Sequence, residues 1–432
     1  MSELKFSIII PNYNGRHYLK ECIASIESCC YPRSAYEIII VDNGSSDGSV
    51  EFIQRFAPSI RVIRFGHNTG FASAINSGAS AAKAEFLIFL NNDMRVNPQW
   101  LSAFEDVVYG MKVDCVTGQI LSWDASRIDF VEGILLFDGH ALQKNQGAQV
   151  SEVTDLKVRP TFIACGGNMA VRRKRFLELG GFDPSFFAYT EDVDFSWRFN
   201  ASGQSIYFTP DGTVYHHHQG TSSSLGVYNR GFLYEKNAFL NIFKNIDDVY
   251  FPCLLHLAWL TLIHRTREII TLNAADSAIF NQVPFSESFL QLFPSPVDRK
   301  FSRKMIDTIR TKGFLAFIGK SLEHIGIWIQ KRAGMHPQTV CPEINISHPH
   351  IVSQMQAIWY ILTNLDFFYE KRIGVQAFRT VTDKELFDAF PPWVVSTYPG
   401  DTLLFASVFF RKLLPGEIDF QFADISEVHG GT

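Results

Sequence analysis

The sequence contains no G-x-G-x-x-G stretch and no G-x-x-x-x-G-K-[ST], which excludes the dinucleotide fingerprint and the Walker phosphate loop. It has no Cys-x-x-Cys pair. Its seven cysteines form an odd set, with Cys22, Cys115, Cys165 and Cys253 among apolar residues and Cys29 beside Cys30. That pattern argues against a zinc site or a disulfide framework and predicts reduced thiols in a cytoplasmic protein. No apolar run is long enough to span a bilayer; the longest, Val249 to Ile263, is too short and contains His256. The first residues, Met1 to Lys5, lead straight into a strand pattern, so no signal peptide is expected. A formal net charge of −5 gives no bulk attraction for nucleic acid. Charged residues make up only 19 % against 46 % hydrophobic, which predicts a packed globular chain. Its 432 residues suffice for a catalytic domain and at least one further unit.

What is present begins with Phe6 to Ile10, a buried-strand run closed by Pro11-Asn12-Tyr13-Asn14-Gly15. A helix is expected from Arg16 to Ser28, with Leu19, Ile23 and Ile26 on one face. The next strand, Glu37 to Val41, ends in the polar loop Asp42 to Ser49, before a helix over Val50–Phe56. A third strand, Arg61 to Arg64, leads to Asn68-Thr69-Gly70-Phe71 and a small-residue helix over Ala72–Ala82. A fourth, Phe86 to Leu90, stops at Asn91-Asn92-Asp93. Such alternation predicts an α/β fold with a parallel, doubly wound sheet. The polar loops then share the carboxyl edge of that sheet, so Asn12, Asp42, Asn68 and Asp93 should converge on one crevice. With no phosphate loop, a diphosphate ligand would need a divalent cation, and Asp93 is its natural anchor. Taken alone, Asn91-Asn92-Asp93 is equally a strand ending in a polar turn.

Further along, Val113 to Leu121 reads as a strand and Ile128 to Phe137 as irregular strand and loop. Cys165 to Val171 is a Gly-rich turn into a strand, followed by a helix over Arg173–Leu179 that Gly180 and Gly181 close. Thr190 is expected to cap a helix whose first turn holds Glu191, Asp192 and Asp194; helix-dipole electrostatics alone would explain those acids. A strand over Ser205–Phe208 and a turn at Pro210-Asp211-Gly212 precede His216-His217-His218. Consecutive strand residues alternate faces, so at most His216 and His218 share a site.

Four of these pieces, in this order and spacing, resemble the family 2 glycosyltransferases of the GT-A fold. They are Ile10 to Asn14, Val41 to Asp47, Asn68 to Phe71 and Leu90 to Asp93. The resemblance covers about residues 5–225 and implies a Rossmann-like, mostly parallel sheet flanked by helices. It implies donor-nucleotide contacts at Pro11, Asn12, Tyr13, Asp42, Asn68, Gly70, Asn91 and Asn92, and a divalent metal (Mg²⁺ or Mn²⁺) at Asp93 completed by His216. The pair Glu191 and Asp192 would be catalytic, with Asp192 the base, and Gly167, Asn168, Trp197 and Arg198 would lie on the acceptor side. The loop from Gln219 to Gly226 would close over the donor sugar. Where the family often has Asp-x-Asp, this chain has Asn91, a weaker ligand than a carboxylate. Asn-Asn-Asp instead resembles the bacterial rhamnosyltransferase branch.

The expected organisation is a catalytic domain over 1–228, a helical extension over 229–335 and a small α+β appendage over 336–432. The helix Tyr234 to Lys244, followed by Val249 to Ile263, resembles the helical extension of that branch. Residues 297–333 hold nine Lys or Arg against three Asp or Glu. There Ile318, Leu322, Ile325 and Ile329 recur at helical spacing, a face suited to an anionic membrane or to docking on protein. In the appendage, Gln354 to Tyr369 and Asp383 to Phe390 read as helices, Val394 to Ser396 and Leu403 to Phe410 as strands. The implied function is inverting transfer of a sugar from a dTDP- or UDP-sugar to a glycan or lipid-linked glycan acceptor. It would take place in the cytoplasm or at the inner membrane face, with an oligomer compatible and nucleic acid excluded. The rivals are a sugar nucleotidyltransferase, disfavoured by the missing Gly-rich basic loop, and an inactive scaffold of the same fold.

Overall fold

In the computed structural model, residues 4–154, 156–217, 226–271, 349–398 and 400–430 are described. Four strands open the chain: β1 (Phe6–Asn12), β2 (Tyr36–Asp42), β3 (Arg61–Arg64) and β4 (Phe86–Leu90). They alternate with helices α1 (Arg16–Glu27), α2 (Ser49–Phe56) and α3 (Phe71–Ala81). All pair in parallel, in the order β4-β1-β2-β3. β1, β2 and β4 are buried on both faces, with successive side chains feeding different cores, while β3 is the partly exposed edge strand. Ile8, Ile10, Phe86, Ile88 and Leu90 pack with Leu19, Ile23 and Ile26 of α1. Ile9, Leu87 and Phe89 pack on the other face with Ile75 of α3. An apolar run with no polar alternation is therefore what a two-sided sheet demands.

Next come β5 (Met94–Val96), α4 (Trp100–Gly110), β6 (Cys115–Ser122), β7 (Ile128–Phe130), the hairpin β8 (Gly133–Leu135) and β9 (Ala141–Gln143), and β10 (Arg159–Thr161). They are followed by β11 (Asn168–Arg172), α5 (Arg173–Glu178), α6 (Glu191–Ala201) and β12 (Ile206–His216). β11 lies antiparallel between β4 and β6, while β12 runs parallel to β6. The mixed part of the sheet thus continues the parallel part without a break. The turn expected at Pro210–Gly212 is instead a bulge inside one strand, with the register shifting between Thr209 and Val214. The bulge is held because Gly118 lets the Gly212 carbonyl approach; a Cβ there would stand 1.9 Å from that oxygen.

Helices α7 (Gly226–Asn245) and α8 (Phe251–Thr271) cross behind α6, and α9 (Pro349–Thr363) and α10 (Leu365–Phe378) pack on them. The single helix expected over Gln354–Tyr369 is therefore two, broken at Asn364. Its side-chain amide donates to the Tyr360 carbonyl (2.7 Å) at the end of α9. The chain closes with α11 (Asp383–Ala389), β13 (Trp393–Ser396), α12 (Asp401–Ala406), α13 (Val408–Leu413) and β14 (Gln421–Asp424), β13 pairing in parallel with β14. The strand expected over Leu403–Phe410 is two short helices. Phe405 and Phe410 enter the core while Leu403, Val408 and Phe409 face outward, and Ser407 caps the second helix by accepting from the Phe410 N–H (3.1 Å). Trp197, Phe162 and Ile242 share one core with Phe387, Val394, Phe405 and Phe410, so the appendage is built onto the wall of the α/β unit. The basic stretch 297–333, His218 and most of the loop 219–226 lie outside the described residues. Among the described residues no helix is long and apolar enough to cross a membrane, and six cysteines are free thiols.

Candidate active site

The carboxyl ends of β1 and β4 open onto a cavity of about 650 Å³. Pro11, Asn12, Tyr13, Asn68, Gly70, Asn91, Asn92 and Asp93 all line it. Asn12 is the tie between strands. Its amide donates to Asp42 (3.1 Å) and its oxygen accepts from Asn92 (2.8 Å). Gly15 makes room for this contact, since a Cβ there would stand 2.0 Å from the Asn92 amide nitrogen. Asp42 itself does not line the cavity. It is fully buried below Asn12 and also accepts from the Ser45 N–H (3.0 Å), so it orients the rim from underneath. Sequence reasoning missed Asn43, the next residue, which does line the cavity. Its amide donates to Asn68 (2.9 Å) and the Gly70 carbonyl (3.1 Å), and its oxygen accepts from the Thr69 N–H (2.9 Å). A residue joining two loops has no local signature.

The antiparallel register of β5 and β12 sets His216 opposite Met94, one residue beyond Asp93. Nε2 of His216 lies 3.3 Å from Oδ2 of Asp93, and its Nδ1 lies 2.6 Å from Oδ2 of Asp129. Asp129, on the short strand β7, was not expected from sequence. Burial alone would lower the His216 pKa, but hydrogen bonds to Asp129 and Asp93 outweigh it and push the pKa up to about 10. His217 points elsewhere, stacked on Trp123 at 3.6 Å between ring centroids. Among the described residues no three His, Cys, Asp or Glu side chains form a cage that would hold a metal alone. The Asp93–His216 pair nevertheless suits a hard dication, which keeps few protein ligands and completes its shell with phosphate oxygens and water. The carboxylate of Asp129 behind the imidazole is the outer partner that would hold such a ligand in orientation.

Glu191 and Asp192 begin α6 and face the same cavity. Asp192 accepts through Oδ2 from the Gly166 N–H (2.8 Å) and through Oδ1 from the Val193 N–H (2.9 Å). Burial raises its pKa above the usual carboxylate value, and those N–H groups pull the other way. Glu191 is raised much further, by burial and by the adjacent Asp192 charge. Thr190 does not cap the helix as expected: its backbone is left-handed (φ 58°), which turns the hydroxyl away from the helix N–H groups.

The acceptor-side residues divide. Gly167 lines the cavity. Asn168 does not; its buried amide donates to the Gln119 (3.1 Å) and Gly212 (2.9 Å) carbonyls and pins β11 to the bulge. Trp197 and Arg198 also lie outside the lining. At roughly 100° per residue, positions five and six beyond Asp192 turn away from its face of the helix. Trp197 donates to Asp383 (2.7 Å), and Arg198 donates to Asp194 (2.7 Å) and the Gly181 carbonyl (2.8 Å). Their work is to dock the appendage and hold α6. The opposite wall comes from unforeseen residues: Tyr189 and Tyr234, stacked at 4.7 Å, His140, and Thr397 and Tyr398 of the appendage.

This sheet, its crevice and the carboxylate pair on α6 define a GT-A-type fold. Residues 7–180 match the family model for glycosyl transferase family 2. The chain is 26 % identical over 208 residues to glycosyltransferase AglE of Haloferax volcanii, a match covering 48 % of this chain and 64 % of that protein. It is 24 % identical over 236 residues to the N-acetylglucosaminyl-diphospho-decaprenol L-rhamnosyltransferase of Mycobacterium tuberculosis, covering 49 % of this chain and 75 % of that one. A crystal structure of TarS from S. aureus aligns at a TM-score of 0.41 and 16 % identity, over 68 % of this chain and 82 % of that one.

Proposed function

We propose that the chain transfers a sugar from a nucleotide-diphosphate donor to a hydroxyl of a glycan or lipid-linked acceptor, with inversion at the anomeric carbon. The observation that carries this reading is that Asp93 with His216, and Glu191 with Asp192, face one cavity from different walls. The relatives named above support a sugar-transfer chemistry, and the rhamnosyltransferase supports a lipid-linked acceptor. Asn12, Tyr13, Asn43 and Asn68 would hold base and ribose. A divalent cation held by Asp93 and His216 would offset the charge gathering on the leaving diphosphate. Asp192 takes the proton of the acceptor hydroxyl as its oxygen attacks the anomeric carbon from the face opposite the diphosphate. One displacement then suffices, and no covalent nucleophile is needed. A panel of nucleotide-sugars screened for turnover and thermal stabilisation with Mg²⁺ or Mn²⁺ tests it; no donor turned over with either ion would sink the proposal.

Two expected results follow directly. Asp93→Ala lowers metal-dependent UDP or dTDP affinity by more than about tenfold, read by calorimetry with and without Mn²⁺. Unchanged affinity in the presence of metal would remove Asp93 from the cation site. The second concerns pH. Asp192 acts as a base only when ionised, and burial raises its pKa, so kcat/KM falls on the acid side with a limb above the ordinary Asp value of 3.8. A pH–rate profile whose acid limb sits at or below that value would contradict the environment described.

A further inference from the structure

The segment before α6 is strained. Phe187, Tyr189 and Thr190 all carry positive φ (66°, 66° and 58°), and none is a glycine. Such conformations are costly for residues with a Cβ and persist only when their surroundings over-determine them. Thr190 contributes no cap, and among the described residues its buried hydroxyl has no hydrogen-bond partner. What holds the turn comes from α7. The Nδ2 of Asn237 lies 3.2, 2.9 and 2.6 Å from the carbonyl oxygens of Phe186, Ala188 and Tyr189. One amide nitrogen therefore meets three carbonyls of a single strained turn. Among the described residues its own Oδ1 is buried without a hydrogen-bond partner, so the bonds to those carbonyls are the ones that orient it. On the other side, the Phe187 carbonyl accepts from the Ala72 N–H (3.3 Å), where a Cβ on Gly70 would stand 2.6 Å from that same oxygen.

We infer that Asn237 is the positioning residue of the Glu191–Asp192 pair: it locks the strained turn so that α6 begins with Asp192 held against Gly166. The inference rests on the reading of Asp192 as the base. Without the clamp the left-handed residues relax toward ordinary φ, the first turn of α6 shifts, and the 2.8 Å bond from the Gly166 N–H to Asp192 is lost. Two things should then change together. Misplacement of the base lowers kcat, and loss of an N–H donor raises the pKa of the carboxyl.

The test compares Asn237→Ala with Asn241→Ala. Asn241 lies one turn further along α7, is equally buried, and donates to the Gly139 carbonyl (3.0 Å), so it controls for simple loss of a buried amide. With a donor that the wild type turns over, Asn237→Ala lowers kcat by about 10- to 100-fold, leaves UDP or dTDP affinity with Mn²⁺ within about twofold, and moves the acid limb upward. Asn241→Ala changes thermal stability but not the limb. Hydrogen exchange over 187–194 rises in Asn237→Ala and not in Asn241→Ala. Asn237→Ser, which keeps one donor, serves if the alanine variant does not fold, and falls between it and the wild type. Equal exchange and equal limbs in the Asn237 and Asn241 variants would overturn the inference. Raised exchange with Asp192→Asn still turning over would support the clamp and overturn the base assignment instead.

Discussion

Asp192→Asn is expected to lower transfer by about 10²- to 10⁴-fold, the range that a positioned general base supplies, while nucleotide affinity and melting temperature stay close to wild type. The substitution keeps size and shape. Its remaining oxygen can still accept from the Gly166 N–H, as Oδ2 does at 2.8 Å, which keeps the longer-range of the two bonds that hold the start of α6 and gives up only the local one from the Val193 N–H. What disappears is the ability to take a proton. The contrast with Glu191 makes the experiment sharper. Among the described residues one Glu191 oxygen has no hydrogen-bond partner, and burial with the neighbouring Asp192 charge pushes its pKa well above the usual carboxylate range, which disfavours its charged form. Glu191→Gln removes less of a proton acceptor than Asp192→Asn does, and its effect is expected to be the smaller of the two. Steady-state turnover with calorimetric nucleotide binding separates these outcomes, and wild-type turnover in Asp192→Asn would refute the role.

Arg265→Ala should destabilise the fold by about 3–5 kcal/mol, the cost of breaking a buried ion pair from one side. Arg265, on α8, is 1 % exposed and donates to both oxygens of Asp401 (3.2 and 3.0 Å), to Asp138 (3.0 Å) and to Thr397 (3.2 Å). Removing it leaves two buried carboxylates facing each other across the space it filled. Asp401 also accepts from the Thr397 and Tyr398 N–H groups (3.1 and 3.0 Å), so the wall of the cavity loosens with the ion cluster. Denaturant melts measure the loss. The double variant Arg265→Met, Asp401→Leu recovers part of it, because an apolar pair carries no uncompensated charge. Equal melts for wild type and Arg265→Ala would show that the cluster is no anchor.

Three of the first four strands, β1, β2 and β4, were legible because each is a short apolar run buried on two faces and followed closely by Asn or Asp. The same logic located Asn12 at the end of β1, and Asn68 and Asp93 in the loops after β3 and β4. Asp42 follows the rule too, but one residue too deep: it supports the rim that Asn43 forms. Asp129 was hidden because its strand is three residues long and meets His216 only through tertiary pairing of β6 with β7 and β12. Trp197 and Arg198 were read from a motif rather than from helix geometry, and geometry turns them into the interior. The run from Leu403 to Phe410 misled because apolar residues fill every position but Ser407, leaving no period to distinguish strand from helix.

The placement of Thr397 and Tyr398 in the cavity wall bears on synthesis. Residues 7–180, the segment that matches the family model, leave the ribosome before Thr397 and Tyr398 do. At about 5–20 residues per second, roughly two hundred further residues, on the order of 10–40 s of translation, separate that segment from the wall it needs. Throughout that interval the face of β8 and α6 that the appendage covers, including Leu135 and Trp197, stays exposed. The emerging chain therefore carries an apolar flank, and with it a hazard of aggregation, until the residues of the appendage arrive to cover it.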